Sequence, residues 1–103
     1  MQQRPVTIVE SSALTALQKK DVLNRLARVE GQLRGVQRLI ALANAPGDLD
    51  AVAQQMSAAR KALDRAFVQL LSSAVVTQGG AAADVEQAGR NAAHLAALLE
   101  KYA

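Results

Sequence analysis

The chain predicts an all-α fold: three helices, two of them long and antiparallel, the third shorter, with the long pair meeting a second copy as a four-helix bundle. Three observations predict it. Apolar residues recur at alternating steps of four and three over stretches of 18 or 19 residues, the spacing of a packed helix seam. Gly and Pro fall in short clusters between those stretches. Half of the 103 residues are hydrophobic, yet alanine and leucine dominate and only two residues, Phe67 and Tyr102, are aromatic.

Residues 1–12 have no sustained periodicity and contain Pro5. They read as a flexible tail, and 13–103 as one helical domain. Ser11 or Ser12 is the candidate N-cap of a first helix over about 13–43. Its seam is Val22, Leu26, Val29, Leu33, Val36 and Ile40. Asp21–Arg25 and Glu30–Arg34 are acid-then-base pairs four residues apart, suited to an exposed helix face. Asn44-Ala45-Pro46-Gly47 ends this helix, because proline cannot continue the backbone hydrogen bonds. Asp48 is the candidate cap of a second helix over about 49–77, with Val52, Met56, Ala59, Leu63, Ala66 and Leu70 as its seam. Gly79-Gly80 predicts the next break. A third helix over about 82–102 carries Val85, Ala88, Ala92, Leu95, Leu99 and Tyr102.

A helix of thirty residues is about 45 Å long. A hairpin of two such helices has a thin interface and leaves apolar surface open, so the pattern implies at least a dimer through a symmetric contact. No apolar run approaches the ~20 residues of a membrane span, and MQQRPVTIVESS lacks the apolar core of a secretory signal. The cytoplasm is the expected location, with no membrane partner. The absence of cysteine excludes disulfides, thiolate ligands and thiol redox chemistry.

The net charge of +3 is small, and its distribution carries the information. Between Lys19 and Arg38, six bases against two acids leave the segment at net +4, more than the whole chain's excess. At 100° per residue the first seam spans roughly 80°, with Lys20, Arg34 and Arg38 nearly opposite it, Arg28 close to them and Arg25 flanking. On the second helix Arg65 lies far from the seam and Arg60 at its edge. Arginine suits phosphate because its planar fork bonds two oxygens. The scarcity of aromatics argues against single-stranded or sequence-read RNA, which is held by stacking on rings, and leaves double-stranded DNA. Charge alone supports a solvated, acid-paired face equally well. Helices of this length, with these loops, do not make a helix-turn-helix.

The stretch VLNRLARVEGQLRGVQRLI resembles the signature of the copper-sensing operon repressor family, which also includes nickel/cobalt, formaldehyde and persulfide sensors. Arg25 to Gly35 matches its pattern Arg-Leu-x-Arg-Val-Glu-Gly-Gln-x-Arg-Gly, and Gln54 to Leu71 resembles its second helix. The resemblance covers about residues 18–78, with a looser fit beyond. It implies dimeric four-helix bundles that pair into homotetramers and repress transcription by binding operator DNA through basic helix faces. It assigns DNA contact to Arg25 and Arg65. Lys20, Arg28, Arg34, Arg38 and Arg60 join them from charge geometry.

The sensing half departs from the family. Its cysteine near the start of the second helix aligns with Leu49, and its later His or Cys ligands align with Ala74 and Gln78. Leucine and alanine have no donor atom, and a glutamine amide is a poor ligand for copper, nickel or zinc. The tyrosine that often precedes the cysteine aligns with Asp48. Formaldehyde sensing needs the same cysteine with a proline near the N-terminus, and Pro5 lies too far upstream. His94 aligns near a glutamate that stands behind the copper ligands in relatives, but one imidazole without partners makes no metal site. Asp48 and Asp50 are explained by the helix start they occupy.

The reading is therefore a DNA-binding repressor without a conventional metal or thiol sensor and needing no cofactor; the residues name no effector. The alternative is a helical scaffold or hetero-oligomer partner that has lost DNA binding. Ser72 and Ser73 have no base nearby, and no other constellation suggests an enzyme.

Overall fold

The computed structural model describes residues 7–103. Three α-helices follow in order: α1 (Ala16–Leu42), α2 (Asp48–Ala81) and α3 (Val85–Tyr102). The described residues contain no strand, as the periodicity predicts. Pro5 and the first half of the expected tail lie outside the described residues.

The helix ends differ from the sequence reading in instructive ways. α1 is capped by Thr15 rather than by Ser11 or Ser12. The Thr15 hydroxyl accepts from the Gln18 amide N–H at 3.1 Å, and the Gln18 side chain accepts from the Thr15 N–H at 2.9 Å. This reciprocal pair satisfies two N–H groups that no helical carbonyl can reach. Ser11 instead closes a turn, its hydroxyl accepting from Ala13 and Leu14. The Glu10 carboxylate accepts from the Ala16 N–H at 2.7 Å, and the Lys19 ammonium donates to the Val9 carbonyl.

Asp48 is the first residue of α2, and its carboxylate reaches backward. It accepts from the N–H groups of Asn44 and Ala45 at 2.9 and 3.0 Å, closing the loop after α1. These two bonds hold its pKa below the ordinary value. α2 then runs through Gly79-Gly80 and stops at Ala81. Tertiary contacts override the low helix propensity of two glycines. Ser73 and Ala74 are buried, Gln18 donates to the Ser73 carbonyl at 3.4 Å, and the Thr77 hydroxyl donates to the Gln18 side chain. The break falls instead at 82–84, where Asp84, in an extended conformation, caps α3 by accepting from the Gln87 N–H.

The described residues form two compact units, one of residues 22–69 and one of residues 7–21 with 70–103. In the 22–69 unit the two helices run antiparallel. Gly35 faces Gln55, whose amide would lie 4.0 Å from an added Cβ, and Arg25 shares a hollow with Arg65. The core of this unit repeats every seven residues: Val22, Val29 and Val36 on α1 against Val52, Ala59 and Ala66 on α2. The alanines let the helices approach closely. The Gln32 side-chain oxygen is buried in this unit without a hydrogen-bond partner.

In the other unit α3 buries Leu95. Its predicted seam holds only at Ala88 and Leu95: Val85 is 89% exposed, and Ala92, Leu99 and Tyr102 are exposed too. The inward row is Gln87, Ala88, Asn91, Leu95 and Leu98. Polar Gln87 and Asn91 hid this row from hydropathy periodicity. Among the described residues no helix is long and apolar enough to cross a membrane.

Candidate nucleic-acid interface

Only half of each long-helix seam is consumed in packing the 22–69 unit. Val22, Val29 and Val36 are 4–8% exposed, whereas Leu33 and Ile40 are 49% and 53% exposed. On α2, Val52, Ala59 and Ala66 are buried, while Leu49, Met56 and Leu63 are about half exposed or more. At 100° per residue the exposed set sits about 40° around α1 from the buried set, with the same positive offset on α2. Because the helices are antiparallel, equal rotations of that sense turn to the same side of the hairpin. Leu33, Ile40, Met56 and Leu63 therefore form one apolar face.

The arginines rotate the other way. Arg28 and Arg65 lie about 100–120° from their buried rows in the opposite sense, and Arg25 follows Arg28. Arg25 and Arg65 line one open hollow of about 340 Å³ with Asp64, Val68 and Gln69. The 22–69 unit thus has an apolar side and a basic side, and both arginines singled out by the family resemblance meet on the basic one. Two guanidinium forks lining one hollow can each grip a phosphate through two parallel bonds. Such a grip needs neither stacking nor an enclosed cavity, and the hollow is open to solvent.

The other candidates are more scattered. Arg34, Arg38 and Arg60 are exposed, but Arg34 is about 120° around α1 from Arg28, and Arg60 about 140° around α2 from Arg65. Arg60 edges the apolar side and does not join the hollow. Lys20 is exposed and belongs to the other unit. Sequence reasoning missed Asp64. It lines the arginine hollow with Arg25 and Arg65, where a carboxylate offsets part of their positive charge. Its place one residue before Arg65 was the available signal.

The three residues that the resemblance sets at ligand positions do not fit a metal. Leu49 projects from the exposed apolar side, Ala74 is 6% exposed within its unit, and Gln78 is half-buried. A carbon side chain, a methyl group and an amide offer no thiolate or imidazole. Among the described residues, no three His, Cys, Asp or Glu side chains gather as a metal site would need. His94 is exposed on α3.

A family model for metal-sensitive transcriptional repressors matches residues 18–101, which takes in all of α2 and nearly all of α1 and α3. No curated protein and no solved structure matches the chain.

Proposed function

The chain belongs to the metal-sensitive transcriptional repressor family, a family of regulators rather than enzymes, and on that premise we propose that it represses transcription by binding duplex operator DNA in the cytoplasm. The observation that carries this reading is the convergence of Arg25 and Arg65 in one solvent-open hollow on the side of the hairpin away from its apolar face. Arg28 extends the basic side along α1. Lys20, Arg34 and Arg38 add positive potential that draws in the polyanion without fixing its register.

The apolar face supplies the oligomer. Leu33, Ile40, Met56 and Leu63 meet their counterparts in a second copy, closing a four-helix bundle and setting two arginine hollows on its outer sides. Among the described residues no large side chain is fully buried, so one hairpin alone has a thin core and gains from this contact. Pairing of two bundles into a tetramer would lengthen the basic surface along the duplex. Leu49 joins the apolar side where relatives place a cysteine, so a position for sensing becomes one for packing.

The test is DNA binding to the protein's own promoter across a salt series. Phosphate-dominated affinity falls steeply with salt, with a log–log slope near −0.9 per phosphate neutralised. Arg25→Ala and Arg65→Ala should each weaken binding and flatten that slope by about one unit. Absence of binding at low salt, or indifference to both substitutions, rejects the reading. It would favour the scaffold or hetero-oligomer role that the altered ligand positions also allow.

A further inference from the structure

The unit formed by 7–21 and 70–103 contains a hollow that the repressor reading does not use. Ser12 and Ala13 from the segment before α1, Gln78 and Ala81 from the end of α2, and Gln87 and Asn91 from α3 line it. Its volume is about 220 Å³, below the roughly 300–1,000 Å³ of sites for drug-sized ligands. Its lining is unusual for the inner side of an amphipathic helix. α3 turns Gln87, Asn91 and Leu95 inward at successive four-residue steps, and the first two are amides. Gln87 is engaged, its side-chain oxygen accepting from the Ala83 N–H at 2.7 Å. Gln78 and Asn91 are half-buried, and among the described residues no hydrogen bond engages either amide. A primary amide has two donor protons and an acceptor oxygen, so both bring unspent hydrogen-bonding capacity to one small space.

We propose that this hollow is a binding site for a small, uncharged molecule with adjacent hydrogen-bond donor and acceptor groups, of which a primary carboxamide is the simplest. Such a group pairs reciprocally with the Gln78 or Asn91 amide, its carbonyl accepting from the side-chain NH2 and its NH2 donating to the side-chain oxygen. The Ser12 hydroxyl gives a third contact at the rim. No charged side chain lines the site, so a carboxylate or ammonium would find no counter-ion there. The site requires neither metal nor thiol, and it stands whether or not the protein binds DNA.

Nicotinamide, a neutral carboxamide of suitable size, is the probe, with nicotinate as its charged counterpart on the same ring. In a 1H–15N NMR titration of the full chain, nicotinamide should shift the side-chain amide signals of Gln78 and Asn91 saturably, with a Kd in the millimolar range. Nicotinate should bind at least about tenfold more weakly. Asn91→Leu and Gln78→Leu should each weaken nicotinamide by about tenfold while circular dichroism shows unchanged helix content. A linear, unsaturated response, equal binding of nicotinate, or full affinity in both variants overturns the proposal. Because the readout is ligand binding alone, its failure leaves the DNA reading standing, and the reverse also holds.

Discussion

Leu63 gives the sharpest test of how the apolar side of the hairpin is used. It is 49% exposed and lies outside the Val22–Val29–Val36 and Val52–Ala59–Ala66 rows that hold the 22–69 unit together. Fully burying a leucine side chain stabilises by about 1.5–3 kcal/mol, so the half still exposed is worth about 1 kcal/mol per chain on association. A symmetric dimer counts this twice. Leu63→Ala should therefore weaken dimerisation by about 2 kcal/mol, roughly thirtyfold in Kd. Leu63→Glu should go further, because it also asks two carboxylates to leave water within a symmetric apolar contact. The assay is sedimentation equilibrium over a concentration series, with circular dichroism as the check on folding. Both variants should keep the helix content of the parent. Gln54→Glu, which adds the same charge on the outer side of α2, should leave the dimer intact. If Leu63→Glu sediments like the parent, or Gln54→Glu dissociates as readily, this face is not the dimer contact and the exposed leucines need another explanation.

Two further outcomes follow from the helix ends. The Asp48 carboxylate accepts two backbone N–H bonds, which hold its pKa below the ordinary 3.8. The charged form is thus favoured in the folded loop, and the stabilisation is fully present above the unfolded value. It fades as pH falls through the lowered native one. Exchange protection of the Asn44 and Ala45 amides should be flat from neutral pH to about 5 and drop under more acidic conditions, and Asp48→Ala should abolish it at every pH. Gly79 and Gly80 have no positive φ, and an added Cβ at either meets nothing within 4 Å. Replacing each with alanine should stabilise the end of α2 by about 0.5–1 kcal/mol, read as a higher Tm, and a lower Tm would show that the glycines serve some other role.

The three helices were legible in the sequence because their packing depends on position modulo the helical turn, which a list of residues already contains. The Val22-to-Ile40 and Val52-to-Leu70 rows needed only their spacing to be seen. The family signature from Arg25 to Gly35 was legible for the same reason: its residues are contiguous. The side-chain chemistry of Leu49 and Ala74 was also legible locally, since neither has a donor atom in any conformation.

The helix boundaries were less legible, because they depend on which of several similar hydrogen bonds wins. Ser11, Ser12 and Thr15 are all competent caps, and Thr15 wins through the Gln18 side chain three residues on, which also meets Thr77 from a distant part of the chain. Gly79-Gly80 reads as a break by propensity, yet the buried Ser73–Ala74 turn carries the helix past it. On α3, hydropathy alone chose the row that contains Val85 and Leu99, whereas the inward row is led by Gln87 and Asn91. A polar residue facing inward looks the same in sequence as one facing water.

The sequence by itself determined the three helices, the antiparallel order of the long pair, the arginine supply and the absence of thiol chemistry. Each of these follows from spacing, chain connectivity or residue type. Only the tertiary structure decided which half of each seam is buried, and so divided the hairpin into an apolar side and a basic one. It also gathered Arg25, Asp64 and Arg65 into one hollow, and Ser12, Gln78 and Asn91 into another. The physical reason is that two helices can bury only a narrow strip of each other. Which strip is used depends on the facing residues, Ala59 and Ala66 against Val29 and Val22, and that pairing exists only once the chain has folded back.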